Sequence, residues 1–168
     1  MLPLTVPYKP AETPCGIPLR AQKRWPMMDV NERSPIREMR SAECWDRIAR
    51  APYGRIATTA AGEIDIFPVN HGVDRFSIVF RTAPGTKLLE LTISRQVVFE
   101  VDGIDGDEAF SVIVKGEADQ FDRPADVAKA EQIGITPWAP GQKDRWVRIT
   151  ARDIQGRAFT LPPATERE

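Results

Sequence analysis

The sequence predicts a mainly β, α+β fold in which short antiparallel strands close or nearly close into a barrel flanked by short helices. Three observations carry this expectation. Runs of four to eight residues rich in Val, Ile, Thr and Phe recur along the chain, as in Arg55-Ile56-Ala57-Thr58-Thr59 and Phe76-Ser77-Ile78-Val79-Phe80. Glycine or proline separates these runs at short intervals. The helical segments between them are few and short, which favours a barrel over a doubly wound sheet.

Residues 1–35 hold seven of the fifteen prolines and show no apolar periodicity, so they are expected to lie outside the core. They read as an unstructured tail, as residues upstream of a true start at Met27 or Met28, or as an arm that wraps a partner subunit through Ile17, Leu19 and Trp25. The domain proper is expected over 36–161. Ser41 is expected to cap a helix that ends before Pro52, with Ala42, Trp45, Ile48 and Ala49 on one stripe, and this helix is expected to lid one end of the barrel. Three strands follow as an antiparallel meander over 54–59, 63–71 and 74–81, with tight turns at Gly62 and Gly72. Pro68 donates no hydrogen bond, so the second of these strands belongs at an edge, where its backbone groups are free for another partner.

A second short helix is predicted over 86–94, with Leu88, Leu89, Leu91 and Ile93 mostly buried. Strands over 97–102 and 110–118 pair as a hairpin across an acidic turn at 103–108. Pro124 opens a third helix reaching about Ile133. Strands over 144–152 and 156–161 close the sheet, and 162–168 form a tail.

With 168 residues, 42% hydrophobic, the chain is long enough for one domain with a substantial core. A formal net charge of −1 and the absence of a polybasic run give no basis for binding nucleic acid or an anionic membrane. No apolar run reaches the roughly 18–20 residues that span a bilayer, and the first residues lack a secretion-signal layout, so the expected location is cytoplasmic. Two cysteines, Cys15 and Cys44, and a single histidine, His71, cannot assemble a four-ligand zinc site, so no metal is expected.

The chemistry concentrates in Phe80-Arg81-Thr82-Ala83-Pro84-Gly85-Thr86-Lys87-Leu88-Leu89, a strand-to-helix turn carrying two cations and two hydroxyls. A turn at Pro84-Gly85 brings Arg81 and Lys87 toward one point, where the free N–H groups of the helix start also face. Arg81 offers a fork, Lys87 a point charge, and Thr82 and Thr86 hydroxyl donors, which together suit a phosphate. The other reading is a solvated loop whose cations pair with Glu90 or Asp65. Glu100 and Asp102 read as one solvent-facing row of a strand.

The succession from Gly54-Arg55-Ile56-Ala57-Thr58-Thr59 through Phe67-Pro68-Val69-Asn70-His71 and Phe80-Arg81-Thr82 to Pro137-Trp138-Ala139-Pro140-Gly141 and Arg145-Trp146-Val147-Arg148 resembles the pyridoxamine 5′-phosphate oxidase-like, FMN-binding split-barrel proteins of the small actinobacterial type. The resemblance spans roughly 41–158. It implies a six-stranded split barrel, a homodimer with cofactor sites at the subunit interface, and FMN as the cofactor. It implies that Arg81, Thr82, Thr86 and Lys87 hold the FMN phosphate, and that Phe67, Pro68, Val69 and Asn70 lie along the isoalloxazine ring. Backbone donors there would stabilise the negative charge of reduced flavin. Trp138 either covers a flavin from the neighbouring subunit or plugs the barrel end. His71 is a weak catalytic candidate, with haem ligation or a plain turn role as its alternatives. The family's Arg-x-His element near the C-terminus is missing, since no histidine follows His71, so pyridoxamine 5′-phosphate oxidation itself is not expected. The resulting expectation is an FMN-dependent oxidoreductase moving a hydride between a reduced nicotinamide or small organic substrate and FMN. Its rivals are a deazaflavin-dependent reductase and a non-enzymatic flavin- or haem-binding protein for storage, sensing or stress.

Overall fold

The first elements set the frame for the site. In a computed structural model that describes residues 36–162, β1 (Arg37–Glu38) leads into α1 (Ser41–Arg50), then β2 (Gly54–Ala60), β3 (Glu63–Val69), β4 (His71–Asp74) and β5 (Ser77–Thr82). α2 (Thr86–Ile93), β6 (Gln96–Asp105), β7 (Glu108–Phe121), α3 (Pro124–Glu131) and β8 (Arg145–Thr160) complete it. The expectations set on residues 1–35 and 163–168 lie outside the described residues. Among the described residues no helix is long and apolar enough to cross a membrane.

All pairings are antiparallel, in the order β3-β2-β6-β7-β8-β5-β4, with β1 added to β8. The two edge strands are consecutive in the chain: β3 ends at Val69, β4 begins at His71, and only Asn70 lies between. The sheet must therefore curl until its edges meet across one residue, and the backbone rather than a ladder closes the barrel.

This differs from the meander expected over 54–81. The segment 63–71 breaks at Asn70 into two strands on opposite edges, because β3 follows β2 while β4 turns to pair with β5. Gly72 lies within β4, where a Cβ would strike the Ile133 side chain, and the turn is instead at Arg75, with φ 57°. The sheet has eight strands rather than six. Segments 144–152 and 156–161 are one strand, β8, running through a bulge: Lys115 pairs with Asp153 but Gly116 with Ala151, leaving Arg152 extra. Gly116 permits this approach, since a Cβ there would meet the Thr150 carbonyl oxygen. The hairpin turn is two residues, Gly106-Asp107, rather than 103–108, and Gly106 at φ 65° supplies the positive φ that a II′ turn needs at its first position.

Inward-facing residues interlock across strands. Ile56 pairs with Phe99 and Phe99 with Val114, and all three are fully buried. Fully burying each such side chain is worth about 1.5–3 kcal/mol. α1 packs into this core through Cys44 and Ile48 with Trp45 at their side, while Ala42 and Ala49 face solvent, contrary to the expected stripe. Ser41 is the first helical residue, with Arg40 as the cap position, and makes no side-chain cap. In α2, Leu91 is buried but Ile93 is exposed, because the short helix presents only one face to the sheet. α3, with Pro124 at its first turn, covers the outer face of β5 and β8, where Val79, Ala130 and Trp146 form a second cluster. Trp146 is thus core.

Candidate cofactor site

The strand β5 sends alternate side chains to opposite faces: Phe80 is fully buried in the barrel, and Arg81 faces outward beside its register partner Trp146. The Arg81 guanidinium sits 5.1 Å from the Trp146 ring centroid. Its Nε is shielded from solvent and has no hydrogen-bond partner. Thr82 turns inward, buried, and its hydroxyl donates to the Ala83 carbonyl at 3.2 Å.

After Gly85 the chain enters α2 with Thr86 and Lys87 in the first turn. No side chain caps this helix, and its first turn carries no acid, whereas α1 has Glu43 and α3 has Asp126 there. The N–H groups of the first turn and the positive end of the helix dipole thus meet no side-chain cap and no acid from the helix's own first turn. Lys87 reaches over β3, its Nζ 5.2 Å from the Phe67 ring centroid. Burial lowers its pKa below the ordinary lysine value, and the nearby charge of Lys143 lowers it further. Lys143 is itself tied to the loop before it, donating to the carbonyls of Ala139 at 3.1 Å and Pro140 at 3.4 Å.

Among the described residues neither Arg81 nor Lys87 forms an ion pair with a carboxylate, unlike Arg37, Arg47, Arg55, Arg95, Arg148 and Arg152. The alternative in which they pair with Glu90 or Asp65 is not what the structure holds. Glu90 instead accepts the hydroxyl of Thr58.

The strand beneath Lys87 is an edge strand, as Pro68 required: β3 pairs with β2 alone, and Pro68 itself is exposed. Phe67 is part-buried and Val69 buried. Asn70, at the break, works as a clasp, donating from Nδ2 to the Pro52 carbonyl at 3.0 Å and accepting at Oδ1 the Trp138 N–H at 2.9 Å. Trp138 is 65% exposed and its ring centroid lies 5.4 Å from that of Tyr53, so it does not plug the barrel end. A cavity of about 400 Å³ opens next to Asn70, between Pro52, Gly72 and Ile135.

His71 is committed elsewhere. Its Nε2 lies 2.9 Å from the Ile48 carbonyl oxygen, which can only accept, so Nε2 carries the proton. Its ring packs edge-on against Phe99 at 4.9 Å. Burial lowers its pKa, partly offset by the backbone carbonyls of Ile48 and Val69. The side chain ties α1 to the start of β4. Cys44 faces the Met39 carbonyl rather than His71, so the two form no nucleophile pair. Glu100 and Asp102 share Arg55, at 3.2 and 2.6 Å, as a surface row.

The structure thus joins Lys87 to Phe67, Asn70 to Trp138, and Arg81 to Trp146. Sequence reasoning missed Lys143 and Tyr53. Their one signal was position, a lysine just after the Pro140-Gly141 turn and a tyrosine just after Pro52.

The family model described as pyridoxamine 5′-phosphate oxidase matches residues 40–158. Two uncharacterized proteins of Mycobacterium tuberculosis strains are 36% identical over 91 residues, which is 54% of this chain and 83% of each of them. A Corynebacterium glutamicum structure, provisionally named a pyridoxamine 5′-phosphate oxidase, superposes with a TM-score of 0.70 at 35% identity, covering 76% of this chain and all of that one. A Mycobacterium smegmatis structure, described as an FAD binding protein, gives 0.64 at 37% identity over 74% of this chain and 98% of that one. These folds are split barrels of the same kind, and the eight-stranded sheet described above is one of them.

Proposed function

This chain belongs to the pyridoxamine 5′-phosphate oxidase family, and on that premise we propose that it binds a flavin nucleotide, FMN, and acts as an oxidoreductase upon a small-molecule substrate. The observation that carries the reading is that two cations around one strand-to-helix turn have no carboxylate partner among the described residues, Arg81 with its buried, unpartnered Nε and Lys87 at the uncapped start of α2. A phosphate satisfies all three needs at once: it accepts from the guanidinium, neutralises the ammonium and receives the helix N–H groups. The flavin class is also that of the Mycobacterium smegmatis relative, whose name specifies FAD, so FMN is the narrower part of the proposal.

In this reading Arg81, Thr86 and Lys87 hold the phosphate, Lys143 adds charge, and Thr82 supports the turn from within. Phe67, Pro68, Val69 and Asn70 line the ring along the open edge of β3, and Trp138, fixed by Asn70, covers its far end. Bound FMN supplies reversible hydride and electron transfer. Hydride transfer at the flavin requires no side-chain base, and His71 is engaged with the Ile48 carbonyl, so the protein's roles in this reading are holding, orienting and excluding water. Oxidation of pyridoxamine 5′-phosphate is not carried over, because the single histidine is His71. A homodimer is part of the proposal. No described helix covers the outer face of β3, β2, β6 and β7, which carries Ile64 and Ile66, 72% and 63% exposed, with Val98 in register beside Ala57, the partner of Ile66.

The test is the absorption spectrum of the purified protein mixed with FMN, followed by addition of NADH or NADPH under anaerobic conditions. A bound-flavin spectrum that bleaches on addition of the nicotinamide is the expected result. Tight binding without bleaching by any donor leaves a storage or sensing protein, and a Soret band in place of flavin bands makes it a haem protein.

A further inference from the structure

The acid nearest in sequence to Lys87 on its own helix is Glu90, and residues three apart on a helix lie close enough for an ion pair. The structure shows no such pair. Glu90 is 5% exposed, and its Oε2 accepts the hydroxyl of Thr58, which is 1% exposed on the inner face of β2. With Thr82 these are the buried polar side chains among the described residues. Burying a carboxylate is unfavourable unless it is hydrogen-bonded, so one hydroxyl inside the barrel decides where this negative charge resides.

We propose that Thr58 is a positioning residue that holds Glu90 in the barrel wall and so keeps Lys87 unneutralised for the phosphate of the cofactor. The inference rests on the phosphate site proposed above. Its chemistry is a competition between two anions for one ammonium. With Thr58 in place, the internal carboxylate is engaged and the external phosphate meets a bare cation. Without the hydroxyl, Glu90 is released toward the solvent side of α2, where Lys87 is its nearest cation in sequence, and the site becomes self-neutralised. The placement of Thr58 on β2 fits this role: the next strand over is β3, whose Phe67 supports Lys87.

The test titrates FMN and riboflavin into the unaltered protein, Thr58→Val, Thr58→Ser, Glu90→Gln and the Thr58→Val/Glu90→Gln double variant. Thr58→Val is expected to weaken FMN about tenfold through the competing charge, with riboflavin unchanged. Thr58→Ser keeps the hydroxyl and Glu90→Gln keeps an acceptor without the charge, so both should hold FMN as the unaltered protein does. The double variant should recover FMN affinity to within about twofold, since no charge remains to compete. Equal weakening of both ligands in Thr58→Val, or no recovery in the double variant, overturns the proposal in favour of a purely structural contact. Should Thr58→Val fail to fold, Thr58→Ala in the same cycle carries the same expectations. An unaltered protein that binds FMN no better than riboflavin would instead remove the phosphate site itself, a different failure from an unresponsive Thr58.

Discussion

Two side chains carry the residue-scale account, and both titrate away from their ordinary values. His71 has its pKa lowered by burial, so the folded state favours neutral imidazole while the unfolded chain protonates near pH 6.5. Its contribution to stability is therefore complete above that pH and is lost as the pH falls from about 6.5 through the lower folded-state value. Denaturant midpoints of the unaltered protein and His71→Gln, compared between pH 8 and pH 5, should converge as the pH falls. A difference that stays constant contradicts the burial argument. Lys87 is lowered too, by burial and then by Lys143. Its charge is lost at a lower pH than an ordinary lysine's, so the loss of FMN affinity on raising the pH should set in earlier than an ordinary lysine would give, and it should move to higher pH in Lys143→Ala. The proposed role of the cations at 81 and 87 comes from the sequence, where Arg, Thr, Gly, Thr and Lys lie in one short segment around a turn, and the structure adds that neither pairs with a carboxylate among the described residues. Lys143 and Tyr53 were not legible there, because they reach the site only through tertiary contacts that no local pattern announces.

At the scale of elements, the helices were legible from local chemistry: Pro124 opens α3 and the Pro84-Gly85 turn precedes α2. The strands were legible as segments but not as partners. The apolar pattern of 63–71 continues through Asn70, so nothing local reveals that one side of this residue belongs to each edge of the sheet. The join of 144–152 to 156–161 was hidden for the opposite reason, since a bulge at Arg152 interrupts the alternation while the ladder to β7 continues. Gly116, opposite that bulge, was read only as part of a strand. A Cβ there meets the Thr150 carbonyl oxygen, and backbone cannot rotate away as a side chain can. Gly116→Ala should lower stability by about 3 kcal/mol, read as a lower urea midpoint at unchanged slope. Gly62→Ala serves as the contrast: its turn is open around the Cβ position, so only the positive φ of 87° opposes the change, and the loss should be about 1 kcal/mol.

Among the described residues the barrel is covered unevenly. α1 and α3 shield parts of β4, β5 and β8, whereas none of the described helices lies over the outer face of β3, β2 and β6. That asymmetry supports the proposed dimer, and light scattering at micromolar concentration should give about twice 18.8 kDa. Ile66→Arg, which places a charge in the middle of the bare face, should return the mass to that of one chain while leaving the circular dichroism unchanged. A single-chain mass for the unaltered protein would contradict the dimer without touching the cofactor site. The proposed cofactor site likewise depends on the whole barrel, since Lys87 of α2 lies against Phe67 of β3 and Asn70 holds the Trp138 loop only in the folded chain. Its central claim is that Arg81 and Lys87 hold a phosphate, each contact contributing about 1.5–3 kcal/mol. The most direct measurement is a set of FMN and riboflavin titrations on the unaltered protein, Arg81→Ala and Lys87→Ala. Each substitution should weaken FMN about 10- to 150-fold and leave riboflavin nearly unchanged. FMN affinity that is the same in all three proteins would show the segment from Arg81 to Lys87 to be an ordinary surface loop.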